Sequence, residues 1–237
     1  MTASVPGPVV ITLDSATQAA LTNGGYALYA SCAVKIDNTA ALPTIWHVER
    51  VLTETITLAL ATDVQAYTST TAIASGKTIS VGNSTAIDLG QTWQVASGGS
   101  GPVKQAGPAD KMTVENTSKT PFTAGLSRCV DGDTDFTPVF AAPLYGLQSN
   151  GAAPVSQIVL QFSTARQSAG SVMSLSTARM QAHAQISAGQ YLSVQLADGA
   201  ARQVSFDINT GWSWGDYTWG QVLTGQAAVL NALIQPE

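Results

Sequence analysis

Apolar side chains in this chain recur at every second position, in short runs closed by glycine, proline, asparagine and aspartate. That period belongs to β-strands, whose side chains alternate between two faces. Ile56, Leu58 and Leu60 share one face of the run Thr53–Thr68. From Ala178 to Ala188 the even positions carry Ala, Met or Ile, and Arg179, Gln181, His183, Gln185 and Ser187 hold the odd ones. A helix would not sort residues in this way. Further strands are expected at Tyr26–Ile36, Lys77–Val81, Ala86–Leu89, Trp93–Val95, Lys111–Asn116, Phe122–Val130, Val155–Phe162, Tyr191–Leu196 and Gln203–Ile208. Only two short helices compete with them. Asp14 or Ser15 caps one that Gly24 ends, and Ala227–Ile234 forms the other.

The expected fold class is therefore all-β with little helix, built as two β-sandwich-like domains. The joint falls in Ala96–Asp110, where Gly98, Gly99, Gly101, Pro102, Gly107 and Pro108 interrupt the backbone. This divides the chain into residues 1–100 and a second domain, 101–237, that carries a Trp-rich loop. An internal echo suggests duplication. Ile73-Ala-Ser-Gly-Lys-Thr-Ile-Ser-Val81 parallels Ile186-Ser-Ala-Gly-Gln-Tyr-Leu-Ser-Val194, and Ile87-Asp-Leu89 with Trp93 parallels Phe206-Asp-Ile208 with Trp212.

Charged residues make up only 11% of the chain, so its polar surface must come from Ser, Thr, Asn and Gln. A net charge of −5 argues against nucleic acid, which needs clustered Lys and Arg to displace counterions. No run of apolar residues is long enough for a membrane-spanning helix. The opening Met-Thr-Ala-Ser-Val-Pro-Gly-Pro lacks the basic and apolar regions of a signal peptide, which suggests a cytoplasmic protein or one released without such a signal. Cys32 and Cys129 are expected as free, buried thiols.

Several chemistries can be weighed on spacing. Gly76-Lys77-Thr78 lacks the glycine five residues upstream that a phosphate loop requires; Thr71 stands there. His47 and Glu49 share a strand face, an arrangement able to serve acid–base work, but no Pro-Cys-x-x-Cys accompanies them as in zinc deaminases. Asp131, Asp133 and Asp135 alternate as Ca²⁺ ligands do, yet Phe136 and Ala142 occupy the positions where an EF-hand needs Gly and Glu. Any Ca²⁺ bound there would need an irregular loop that borrows backbone carbonyls. No carboxylate pair suited to glycoside hydrolysis is visible.

The distinctive segment is Phe206–Gly220. It places Trp212, Trp214, Tyr217 and Trp219 among glycine, serine and threonine. Indole combines a broad apolar face with one N–H that needs a partner, which suits a surface that is wet at one end. The expectation is a non-enzymatic protein whose rings stack on a carbohydrate or enter a membrane headgroup layer. Asn209, Asp207 and Asp216 would orient the ligand, and Trp93 would mark a weaker second site. The low-charge, Ser/Thr-rich alternation of Thr53–Thr71 and Ser171–Ser187 extends this idea to a pore-forming or defence protein that oligomerises. Two other classes compete: a self-assembling structural protein of a phage or cell surface, and an enzyme using His47 and Glu49.

Overall fold

The computed structural model describes residues 5–174 and 190–236. The strand expected at Ala178–Ala188, with His183 on it, lies outside the described residues, as do most of the Ser171–Ser187 run and the start of the second echo copy. In chain order the first elements are β1 (Val9–Leu13), α1 (Ser15–Asn23), β2 (Ala27–Ile36), β3 (Leu42–Pro43), β4 (His47–Glu49), β5 (Thr55–Leu58) and β6 (Leu60–Ser69). Next come β7 (Asn83–Ala86), β8 (Thr92–Val95), β9 (Val103–Lys104), β10 (Met112–Asn116), β11 (Phe122–Val130), β12 (Thr137–Pro138), β13 (Phe140–Leu144) and β14 (Ser149–Ser163). The last are β15 (Tyr191–Gln195), β16 (Arg202–Asp207), β17 (Gly211–Ser213), β18 (Gly220–Leu223), α2 (Gln226–Leu233) and β19 (Ile234–Pro236). The protein is all-β and sandwich-like, with 49% of the described residues in strands and 8% in helices.

Among the described residues three sheets share one core. The first runs β17-β16-β1-β5, with β1 parallel to β16 and antiparallel to β5. The second is nine-stranded and built around β14. One edge of β14 pairs with β2, while the other pairs first with β10 and then with β15. The register with β2 shifts between Pro154 and Ile158, where proline supplies no N–H to the ladder. The third sheet runs β3-β13-β11-β6-β7. Val9, Leu28, Ile56, Trp93, Leu126, Leu160 and Phe206, drawn from all three sheets, belong to one buried cluster.

Burial on both faces explains the unbroken apolar run of β2. Leu28, Ala30, Cys32 and Val34 enter the main core, and Ala27 and Tyr29 pack with Ile45 on the reverse. α1 forms where capping chemistry allows it: Asp14 accepts the Thr17 N–H at 2.6 Å, and Gly24 closes the far end. At Gly125 an added Cβ would lie 2.2 Å from the Phe140 carbonyl oxygen and 2.7 Å from the Tyr67 ring. The missing side chain lets the Tyr67 hydroxyl donate to that carbonyl at 2.7 Å.

Strands from both sides of residue 100 pair in every sheet, as β1 does with β16, β8 with β10 and β6 with β11. The Gly/Pro-rich stretch works as a loop within the second sheet. Gly101 passes so close to Gln94 that a Cβ would meet its carbonyl oxygen at 1.9 Å, and the Gly101 carbonyl accepts the Trp93 indole N–H at 2.9 Å. Glycine is required there by close backbone approach. The strands expected around Gly82 are displaced. Lys77–Val81 makes only an isolated bridge from Thr78 to Ser171, and Asn83–Ala86, expected as mostly turn, is the strand. The first echo block is therefore a loop, whereas Tyr191–Gln195 in the second is a strand inside a sheet.

Candidate functional site

The Trp-rich segment joins β17, in the first sheet, to β18, in the second. Its aromatic rings divide between core and surface. Trp212 is only 7% exposed; it faces Phe162 and Phe206 and donates its N–H to the Gln190 carbonyl at 3.2 Å. It therefore cannot contact a ligand, contrary to the expectation. The same correction applies to Trp93, which is fully buried beneath the Gly101 loop. On a strand two residues share a face only while the strand lasts, and β17 ends at Ser213. Trp214 lies beyond it and packs, partly buried, against the margin of the main core.

Trp214, Tyr217 and Trp219 form the surface group. Trp214 is half-buried, rests against the backbone of Gly220, and donates its N–H to the Tyr217 carbonyl at 2.9 Å. Gly215, at φ +71°, makes the turn that this contact requires. Tyr217 is 65% exposed, and its ring lies nearly parallel to Trp219, with 5.7 Å between centroids and 19° between planes. The Trp219 carbonyl accepts the Gln195 N–H at 2.8 Å, which ties the loop to β15.

Arg202, at the start of β16, completes the arrangement. Its guanidinium carbon stands 4.9 Å from the Trp219 ring centroid, and its Nε–H donates to the Gln195 carbonyl at 3.1 Å. The sequence reading passed over this residue. Hairpin register could have found it. Ser205 pairs with Ser213 and Asp207 with Gly211, so the same register extended past β17 sets Arg202 opposite Asp216.

The polar partners expected for the platform separate. Asp216 is exposed on the aromatic loop. Asn209 lies at the turn of the β16–β17 hairpin, the end away from Trp214, so it does not join the platform. Asp207 is committed to that turn: its Oδ1 accepts the N–H groups of Asn209 and Thr210, each at 2.8 Å. Those two hydrogen bonds hold its carboxyl below the ordinary carboxylate value.

The other candidates are placed as follows. His47 and Glu49 stand half-buried on β4, and the Glu49 carboxylate accepts the Val51 N–H at 2.9 Å. Burial lowers the His47 pKa, opposed by the charges of Glu49 and Asp133. A groove of about 290 Å³ between the β2–β3 loop, α2 and β19 is lined by neither residue, and nor is a cavity of about 20 Å³ beside Tyr29 and Tyr191. Asp131, Asp133 and Asp135 lie on an exposed turn, where Asp133 accepts the Thr134 N–H at 2.7 Å. Among the described residues no three of His, Cys, Asp and Glu are arranged to hold a metal ion, so the Ca²⁺ expectation finds no support there. Cys32 and Cys129 are both free and buried. No helix among the described residues is long and apolar enough to cross a membrane.

Arg128 is the other unusual group. It is 5% exposed, donates to the Ala61 carbonyl at 2.7 Å, and leaves its Nε without a partner. Comparison of the chain with protein-family models, with curated proteins and with solved structures gives no match.

Proposed function

We propose that this protein binds carbohydrate without catalysis, using the outer face of Tyr217 as the stacking surface and Trp219 and Trp214 as its support. One observation carries the reading: a ring 65% exposed is held flat against a second ring on a loop braced at both ends. Fixing an exposed aromatic side chain costs conformational entropy, and that ordering favours a partner that needs a rigid, flat, apolar face. The C–H face of a pyranose is such a partner, and preorganisation lowers the cost of binding it.

A membrane surface is less well served. The Trp214 N–H is already satisfied within the loop, Asp216 is exposed on that same loop, and the chain carries a net charge of −5, which opposes anionic lipid. A glycan array followed by titration of the best ligand tests the reading. Binding is expected for the parent protein and lost in Tyr217→Ala, with the fold retained. Co-sedimentation with phosphatidylcholine or phosphatidylserine vesicles, with no glycan bound, would replace the sugar by lipid.

Self-association is the second reading, favoured by the open edge of the third sheet at β7. Its sequence Asn83-Ser-Thr-Ala86 carries neither the lysine nor the proline that commonly blunts an edge. Light scattering of the unliganded protein separates the two: a large regular oligomer favours assembly.

A further inference from the structure

We infer that the ligand of the Tyr217 platform is an acidic sugar, one bearing a carboxylate or sulfate, and that Arg202 selects it. The inference rests on the carbohydrate reading above and adds the charge of the ligand to it. Arg202 is the only Lys or Arg between residues 190 and 237, and it stands against the aromatic stack. Among the described residues no carboxylate forms an ion pair with it; the one such pair joins Lys111 and Asp37.

Its donors are partly spent, and in an informative pattern. The Nε–H is committed to the Gln195 carbonyl, which closes the side-on approach through Nε and one Nη. No hydrogen bond among the described residues occupies Nη1 or Nη2, which leaves the end-on approach, through both together, to an anion. That edge matches the spacing of two oxygens on a carboxylate or sulfate. Contact with the Trp219 ring also restrains the guanidinium, so less freedom is lost when the anion arrives. Tyr217 and Arg202 each touch Trp219, at 5.7 Å and 4.9 Å, so both lie within reach of a di- or trisaccharide.

Asp216 and Asp198 are exposed carboxylates, the one next to Tyr217 in the chain and the other on the β15–β16 loop that leads to Arg202. A ligand with many charges along its length would be repelled by them. One acidic group placed against Arg202 fits better than a densely sulfated polymer.

The test pairs ligands that differ only in the acid: trigalacturonate against its methyl ester, and 3′-sulfolactose against lactose, each titrated by NMR at low salt. At least one acidic member is expected to bind roughly tenfold tighter than its neutral partner, as one charge-assisted bidentate contact would give. Arg202→Gln should remove that preference, bringing the acidic member's affinity to that of its neutral partner, Arg202→Lys should keep part of it, and salt should weaken the acidic member more than the neutral one. Equal affinity within both pairs overturns the role of Arg202 and leaves the platform standing. No binding of any of the four, with an empty glycan array, overturns both. Circular dichroism melts of the Arg202 variants show whether a loss of preference reflects the site or the fold.

Discussion

The indole of Trp212 lies nearly parallel to the ring of Phe162, with 5.4 Å between centroids and 20° between planes, while Phe206 meets the same indole edge-on at 4.9 Å. This triplet ties β14 of the second sheet to β16 and β17 of the first. Removing the indole leaves a large cavity, and Trp212→Ala should cost about 3–5 kcal/mol, the range for deleting a buried aromatic side chain. Tyr217→Ala, a few residues on, should stay within about 0.5 kcal/mol of the parent, as exposed substitutions do. Urea unfolding of the two variants side by side checks the contrast. Equal losses would mean that the Tyr217 ring belongs to the core.

Gly220 supports the platform from beneath. A Cβ there would lie 2.6 Å from Cδ1 and Nε1 of Trp214, closer than a methyl carbon can approach a ring atom. Gly220→Ala should push the indole outward, break its 2.9 Å hydrogen bond to the Tyr217 carbonyl and loosen the stack. The expected penalty is about 1–3 kcal/mol, typical of overpacking. A red shift in tryptophan emission should report the newly exposed ring, and glycan affinity should fall with it.

Burial of His47 makes stability depend on pH. The imidazole ordinarily titrates at 6.5, and in the folded protein its value is lowered, chiefly because burial disfavours the cation. As pH falls through 6.5 the unfolded chain takes up the proton first, so stability declines and levels off only below the folded value. Melting temperature is therefore expected to drop on acidification between about pH 7.5 and 5. His47→Gln, which carries no titrating group, should flatten that slope. An unchanged slope would assign it to other residues.

Both thiols should resist alkylation while the protein is folded. Burial pushes the Cys32 thiol up to about 12, against a smaller opposing pull from Arg128. Burial and the charge of Asp63 also raise Cys129. The thiolate is the nucleophile, so little of it exists at pH 8. Iodoacetamide is expected to modify neither residue in the native state and both in urea, as read by intact mass.

Arg128 carries a buried charge with one hydrogen bond and an orphaned Nε. An unpaired buried cation is costly, and an apolar side chain of similar length avoids that cost. Arg128→Met should raise the unfolding free energy by roughly 1 kcal/mol or more. A lower midpoint in urea would show that the bond to the Ala61 carbonyl outweighs desolvation.

The sequence by itself determined the class of fold. Two-residue alternation in β5 and the run Phe122–Val130, which is β11 to the residue, follow from local sterics and burial, as do the Asp14 cap and the helix near Ala227–Ile234. It also picked out the segment that holds the surface rings. It did not sort Trp212 and Trp93 from Trp214 and Trp219, because all four share one composition and differ in what packs against them. Trp212 meets Phe162, fifty residues away. Neither did it reveal Arg202, which reaches the stack only across a hairpin, or choose between linker and loop for Ala96–Asp110, where Gly101 answers to the close approach of Gln94. Local chemistry sets which strands form, since backbone period and turn residues act over a few positions. Only tertiary packing decides which face is sealed, because burial is a property of neighbours that the chain brings together from afar.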